Sequence, residues 1–472
     1  MKVEISNLGV IKKAEIDLKP LTVFIGQNGE GKSWTAYTIA AILGGYGFEE
    51  YVEAYIEGKT QQKYPLLDEA IEQLMEEGGS KIDMVKFASD YAEIYFNDIA
   101  SWGPKLMRNF LKSRRLSFKD LQISVSLAES KSKSIETIKA GLAISSISSP
   151  QSEFPLLNAV KESEENTLYF YSSGDALDKL PKRSFKQFVT YVVFKTIQKS
   201  LFTDTYFFPT ERTTFISFPF GDFDKIKITM PEIREKSDRI DSISQKAILI
   251  EPVQQLLKTI SMAHQDNLYE EREEQIKENP SIGDYLKLAD FLESEILQGK
   301  LKIEKAIEKE LLFQPIEEDI KLEMPVVSSM VKELAPLVLY LRYLAEPNDL
   351  LIIDEPEMNL HPSVQVEIVE FLGMLVNAGL NVIITTHSTY IVDQLINLMK
   401  TEKHEDKEKI KEWFYLEKSE AFISKDRVSV YLFEEGTAKN ILRKDAMIDW
   451  DTFSNVSEDV SELYSQLLVV EN

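Results

Sequence analysis

The sequence predicts an α/β fold: a mixed sheet with a parallel core, an antiparallel lobe beside it, and helical insertions between the motifs. Three stretches predict it. Leu21-Thr22-Val23-Phe24-Ile25 is a short β-rich run leading into Gly26-Gln27-Asn28-Gly29-Glu30-Gly31-Lys32-Ser33, after which Ser33 to Leu43 reads as a helix. Leu350-Leu351-Ile352-Ile353-Asp354-Glu355-Pro356 and Leu380-Asn381-Val382-Ile383-Ile384-Thr385-Thr386-His387-Ser388 are continuous apolar runs, the pattern of parallel strands buried on both faces. Each run delivers polar residues at its carboxyl end, the edge where open α/β sheets bind ligands.

Residues 26–33 fill every position of the phosphate-binding pattern G-x-x-x-x-G-K-[ST]. Glycines let consecutive backbone N–H groups curl around phosphate oxygens with no Cβ in the way. Gly26, Gln27, Asn28, Gly29, Glu30, Gly31, Lys32 and Ser33 are therefore the nucleotide-binding set, with the triphosphate on a helix N-terminus. Lys32 can reach the β- and γ-phosphates, and the Ser33 hydroxyl can ligate Mg²⁺. Asp354, the first carboxylate at its strand end, can hold that Mg²⁺ through water. Glu355 is placed to orient or deprotonate the attacking water. His387, one of four histidines, reads as a γ-phosphate sensor; the alternative is a core or helix-capping histidine.

Together these motifs resemble the ATP-binding-cassette class of ATPase, and within it the SMC-like and overcoming-lysogenisation-defect (OLD) group of prokaryotic ATPases. Ile5 to Leu18 is similar to that group's first hairpin. Phe208-Pro209-Thr210-Glu211-Arg212 and Asp354-Glu355-Pro356-Glu357-Met358-Asn359-Leu360-His361-Pro362 are similar to later segments of it. The similarity covers residues 1–45, 204–214 and 324–395. It implies a P-loop NTPase head of ABC-ATPase type that hydrolyses ATP with Mg²⁺ between two heads. A signature segment of one head then meets the γ-phosphate bound to the other, and Pro325 to Leu334 is the matching stretch, with Ser329 as the contact. Met330 stands where relatives usually carry glycine, and Pro336 requires that the helix begin later or bend. The other reading of Ser329 is an ordinary helix N-cap. The resemblance places Phe208 to Arg212 in a loop that couples nucleotide to the flexible arm. Arg212 could meet phosphate, a facing carboxylate, or a surface partner in a plain salt bridge. Asn359 and His361 fall in a loop that crosses the dimer interface in this class.

The motifs divide the chain. Residues 1–45 are the first part of the head, 46–113 a helical insertion, and 114–229 an antiparallel strand lobe with the coupling loop. Residues 230–300 are a helical hairpin insertion, 301–400 the second part of the head, and 401–472 a strand and helix closing it. In the lobe, Leu121 to Leu127 alternates and Thr167 to Tyr171 is rich in strand formers, with Lys131 to Ser134 and Ser145 to Ser152 as turn-rich joints. Asn279 to Gly283 breaks the later helical stretch, whose charged Glu270 to Glu278 suits an exposed tip. Residues 301–327 read as strands leading back to the signature, and sustained heptads are absent.

The chain has 472 residues, 43% of them apolar, and no cysteine, so a thiolate metal site and a disulfide framework are excluded and a cytoplasmic protein is expected. A strand at the start leaves no room for a signal peptide, and nothing is apolar enough to span a membrane. The net charge of −24 opposes general adhesion to nucleic acid. Lys105, Arg108, Lys112, Arg114, Arg115 and Lys119 form a local basic run that could grip nucleic acid or pair with acidic neighbours. Val430 to Lys439 superficially resembles the opening of a TOPRIM nuclease, but too few residues follow to build one; Val428 to Phe433 reads as a closing strand and Val456 to Leu468 as a helix behind it. By resemblance the chain is an ATP-driven switch, a homodimer or assembly of dimers that controls a separate effector protein in defence against phage. The alternatives are a DNA-clamping repair ATPase and, against the long excursion between motifs, a transporter subunit.

Overall fold

A computed structural model describes residues 1–113, 115–148, 155–174, 176–217, 249–263, 268–305, 309–449 and 463. The chain opens with β1 (Lys2–Leu8), β2 (Ile11–Asp17) and β3 (Leu21–Gly26), then the helix Lys32–Leu43. Helices Gly45–Ile56, Pro65–Glu77, Met84–Ser101 and Gly103–Phe110 follow, with β4 (Gly79–Asp83) before the third of them. Next come β5 (Gln122–Ser126), the helix Lys131–Ala140, β6 (Ala143–Ile147), β7 (Leu157–Lys161) and β8 (Thr167–Ser172). The helix Lys182–Leu201 leads to β9 (Thr205–Phe208) and the short helix Arg212–Ile216. Helices Glu251–Met262, Leu268–Glu278 and Ile282–Phe291 precede β10 (Gly299–Lys305), β11 (Lys309–Pro315) and β12 (Leu322–Glu323). The helix Ser329–Tyr343, β13 (Leu350–Asp354), the helix Pro362–Asn377, β14 (Asn381–Thr386), the helix Thr389–Thr401, β15 (Val428–Glu434) and β16 (Thr437–Asn440) complete the head.

The fold is mixed α/β. Its large sheet has nine strands in the order β5-β1-β2-β16-β15-β3-β14-β13-β9. From β15 to β9 every neighbouring pair is parallel, whereas β5, β1 and β2 pair antiparallel. The parallel strands are mainly apolar and largely buried because both their faces are covered. Phe24, Phe207, Ile352, Ile383 and Phe433 point into one core, which the helix Lys32–Leu43 and the insertions fill. Their alternating neighbours Val23, Ile25, Phe208, Ile353 and Ile384 point into a second core with the helices that begin at Ser329, Pro362 and Thr389. The period-2 alternation of a strand thus divides one sheet between two cores.

The register levels the strand ends. Ile25 lies opposite Thr386, and Thr385 lies opposite Asp354, so β3, β14 and β13 finish side by side. At the other end, buried Asp349 accepts hydrogen bonds from the amides of Asp204 (3.0 Å) and Glu346 (2.9 Å) and from the Tyr340 hydroxyl (2.9 Å). It ties β13, β9 and the Ser329–Tyr343 helix together there.

Several local expectations are corrected. The Leu121 to Leu127 strand does not belong to a separate lobe: β5 extends the large sheet by pairing with β1. A separate four-stranded antiparallel sheet, β4-β8-β7-β6, borrows β4 from the stretch read as helical, and β10-β11-β12 form a second small antiparallel sheet. Lys131 to Ser134 opens a helix, and Ser145 to Ile147 lies within β6. The helix Lys182–Leu201 was not expected. The charged Leu268–Glu278 helix is docked rather than a free tip, since buried Arg272 donates to the Ala345 carbonyl at 2.5 Å. Val428 to Glu434 is an interior strand between β3 and β16, so the stretch resembling a nuclease opening is part of the head sheet. The expected helix at 456–468, except residue 463, together with Arg114 and residues 218–248, lies outside what is described. Among the described residues, no helix is long and apolar enough to cross a membrane.

Candidate functional site

The phosphate loop leaves β3 at Gly26 and enters its helix at Gly31. Both glycines are required by the backbone: Gly26 has φ +146°, and a Cβ there would lie 2.4 Å from the Phe433 carbonyl oxygen. Gly31 has φ +89°, and its Cβ would meet Ile11 at 2.7 Å. No side chain caps this helix, so its first amides face an incoming anion. The Lys32 ammonium is tucked beneath the loop, donating to the carbonyls of Gly26 (2.8 Å) and Gln27 (2.9 Å). Burial holds its pKa below that of a free lysine, while Glu355, Asp354, Glu357 and Glu30 pull the other way.

Ser33 and Asp354, 321 residues apart, meet here: the hydroxyl donates to Asp354 Oδ1 at 2.7 Å. The hydroxyls of Tyr37 (3.2 Å) and Thr385 also donate to this buried carboxylate. Among the described residues no group of three or more His, Cys, Asp or Glu side chains could hold a metal ion unaided. The Ser33 and Asp354 oxygens nevertheless fit Mg²⁺, a hard cation that completes its shell with water and nucleotide phosphates rather than with a protein cage.

Glu355 turns its backbone to φ +50°, and its amide donates to the carbonyl (3.1 Å) and hydroxyl (3.1 Å) of Thr385. The kink separates its side chain from that of Asp354. Burial raises the Glu355 carboxyl pKa; His387 lowers it, Asp354 and Glu357 raise it, and Lys32 lowers it. Raised basicity suits a group that takes a proton from water. His387 Nδ1 lies 3.7 Å from Glu355 Oε1 and 3.4 Å from Glu357 Oε1, with the side chain 40% exposed. The ring is therefore not a core histidine, and the cap of the following helix is Ser388, which accepts from Ile391 N.

Arg212 is 2% exposed, so the surface salt bridge is excluded, and it meets a carboxylate rather than solvent. Its guanidinium donates to the carbonyls of Asp354 (2.7 Å), Glu355 (2.8 Å) and Pro209 (2.9 Å) and pairs with buried Glu333 on the Ser329–Tyr343 helix. Ser329 is exposed on that helix, which packs on the face of the sheet opposite the Lys32–Leu43 helix. The cap is Ser328, accepting from Val331 N at 3.3 Å, so Ser329 is not the N-cap. The helix starts at Ser329 and runs through Pro336, and Met330 packs half-buried against the second core. Asn359 (φ +58°) turns inward to Glu333 Oε2 at 3.5 Å, and exposed His361 caps the helix Pro362–Asn377 through Ser363 N. The basic run is partly neutralised, Lys105 lying 3.8 Å from Glu50 and Lys112 3.6 Å from Glu251.

Sequence reasoning missed Tyr37, Glu333, Glu357 and Thr385. Glu357 is the third acid of D-E-P-E and Thr385 the first threonine of T-T-H-S, so their positions were visible though their partners were not. Glu333 stands one helical turn after Ser329. Tyr37 carries no motif signal.

The glycine-rich loop with its buried lysine, and the Ser33–Asp354 contact beside Glu355, are the site of a phosphate-loop ATPase. The chain matches the AAA ATPase domain family over residues 1–392, and it belongs to that family. It binds ATP and hydrolyses it. No curated protein matches the sequence. Among solved structures it is similar to an SMC head bound to the C-winged helix domain of ScpA, with 10% identity, coverage of 93% of this chain and 96% of that one, and a TM-score of 0.36. An SMC head domain from Thermotoga maritima gives 10% identity, coverage of 93% and 97%, and a TM-score of 0.29. A Smc head with an extended coiled coil, bound to the C-terminal domain of ScpA from Pyrococcus furiosus, gives 11% identity, coverage of 98% and 98%, and a TM-score of 0.35.

Two predictions follow from this geometry. Lys32→Ala removes tight ATP binding, whereas Glu355→Gln keeps it and slows turnover by about 100-fold or more; equilibrium nucleotide titration and steady-state phosphate release separate the two. Arg212→Met leaves Glu333 buried without its cation, at a cost of about 3–5 kcal/mol that denaturant unfolding reads directly, and adding Glu333→Leu recovers most of that stability without restoring turnover.

Proposed function

We propose that the chain is an ATP-driven switch of the ABC type, in which two copies meet head to head around Mg²⁺ and ATP. The observation that carries this reading is the Ser33–Asp354 contact at the level ends of β3, β14 and β13, with Lys32, Glu355 and His387 around it. Lys32 and the loop amides hold the phosphates, Ser33 and Asp354 hold Mg²⁺, and Glu355 orients the attacking water. His387 contacts the γ-phosphate.

Ser329 of one copy then faces the γ-phosphate bound to its partner. Its support is its exposure at the start of a helix whose next turn, at Glu333, is bound through Arg212 to the backbone of Asp354 and Glu355. Binding on one side and chemistry on the other thus share one rigid link. Similarity to the OLD group, together with a Val428–Asn440 segment that serves the head sheet, supports a switch whose output is a separate effector protein, in prokaryotic defence against phage. The DNA-clamping alternative has weaker support, because acidic neighbours take up part of the Lys105–Lys119 charge.

Light scattering on the Glu355→Gln protein tests the assembly. The mass doubles on adding Mg²⁺ and ATP, and Ser329→Arg abolishes the doubling while leaving ATP bound. A mass indifferent to ATP contradicts the sandwiched site.

A further inference from the structure

Glu357 has no part in the chemistry described so far, yet it is only 4% exposed at the centre of the site. Its Oε1 accepts from the Thr386 hydroxyl at 2.6 Å and from the His387 amide at 2.8 Å. Its Oε2 is buried without a hydrogen-bond partner, and so is Nδ1 of His387. These two unpaired atoms belong to neighbouring side chains: Nδ1 lies 3.4 Å from Oε1, the other oxygen of that carboxylate. A buried carboxylate has more acceptor sites than two donors fill, and a ring nitrogen beside it can serve one only by carrying its proton. The nearby cations are committed elsewhere: Lys32 to the carbonyls of Gly26 and Gln27, Arg212 to Glu333 and the carbonyls of Asp354 and Glu355.

We infer that Glu357 is a positioning residue that keeps the proton of His387 on Nδ1 and fixes the plane of the ring. Nδ1 is the buried nitrogen of a side chain that is 40% exposed, so holding it inward turns the Nε2 edge outward. A carboxylate behind an imidazole sets its tautomer and orientation in this way wherever the other nitrogen must serve a ligand. Glu355 Oε1, at 3.7 Å from the same Nδ1, is the competing acceptor. By engaging the ring first, Glu357 leaves the Glu355 carboxylate to water. This part of the inference rests on reading His387 as the γ-phosphate contact.

Glu357→Gln tests it. The amide oxygen can keep the bonds to Thr386 and the His387 amide at the Oε1 position, while the negative charge that holds the proton on Nδ1 is removed and the partnerless Oε2 becomes an NH₂. Imidazole ¹⁵N spectra of the nucleotide-free protein, assigned by His387→Ala among four histidines, show the Nδ1–H tautomer in the parent and the Nε2–H tautomer in the variant. Turnover falls about tenfold or more in Glu357→Gln with little change in KM, and the same substitution costs nothing further in a His387→Ala background. An Nδ1 without its proton in the parent overturns the inference, as does a cost that persists in the His387→Ala background. Undiminished turnover in His387→Ala defeats the γ-phosphate reading instead, and the nucleotide-free tautomer still decides the role of Glu357.

Discussion

The Arg212 guanidinium is the joint on which the site depends. Its fork spans the end of β9, the carbonyls of Asp354 and Glu355, and the Glu333 carboxylate on the Ser329 helix. Burial drives the Glu333 carboxyl up, to about 7, against the pull of Arg212, and burial lowers the pKa of Arg212 itself. Desolvation of this size means that the pair does little for net stability. What it supplies is geometry. Only a planar donor fork can satisfy adjacent carbonyls and a carboxylate together, and doing so braces the left-handed turn at Glu355.

The rest of the head delivers the other groups to that joint. Parallel register sets Phe24, Thr385 and Asp354 at one level, just short of Gly26 and Thr386, and the two cores hold the strands there from both faces. Asp349 anchors the opposite end of β13 with three donors, so the strand that carries Asp354 and Glu355 is clamped at both ends. The excursion between the motifs adds helices to the first core and a second, four-stranded sheet.

The parallel heart of the fold was legible because burial on both faces writes itself as unbroken apolar runs, and the phosphate loop because its glycines are demanded by backbone angles. Elements whose pattern is set by tertiary partners were not. Leu121 to Leu127 alternates as a lobe strand would, yet its partner is β1; Lys131 to Ser134 reads as a turn but starts a helix whose Ser134 is buried against Ser200. In the site, Lys32, Ser33, Asp354, Glu355 and His387 were named from chemistry that spacing reveals. Arg212 was named without its depth, and Glu333 and Glu357 were passed over, because a buried charge announces itself only through the residue it faces.

The central claim is that two segments 321 residues apart in sequence form one ATP site. The most direct measurement is the position of the γ-phosphate in Glu355→Gln protein crystallised with Mg²⁺ and ATP. The account predicts Mg²⁺ held between Ser33 and Asp354 and the γ-phosphate beside Lys32, with His387 Nε2 and Ser329 of a second copy facing it. A nucleotide bound away from Asp354, or a γ-phosphate enclosed by one copy alone, would contradict it.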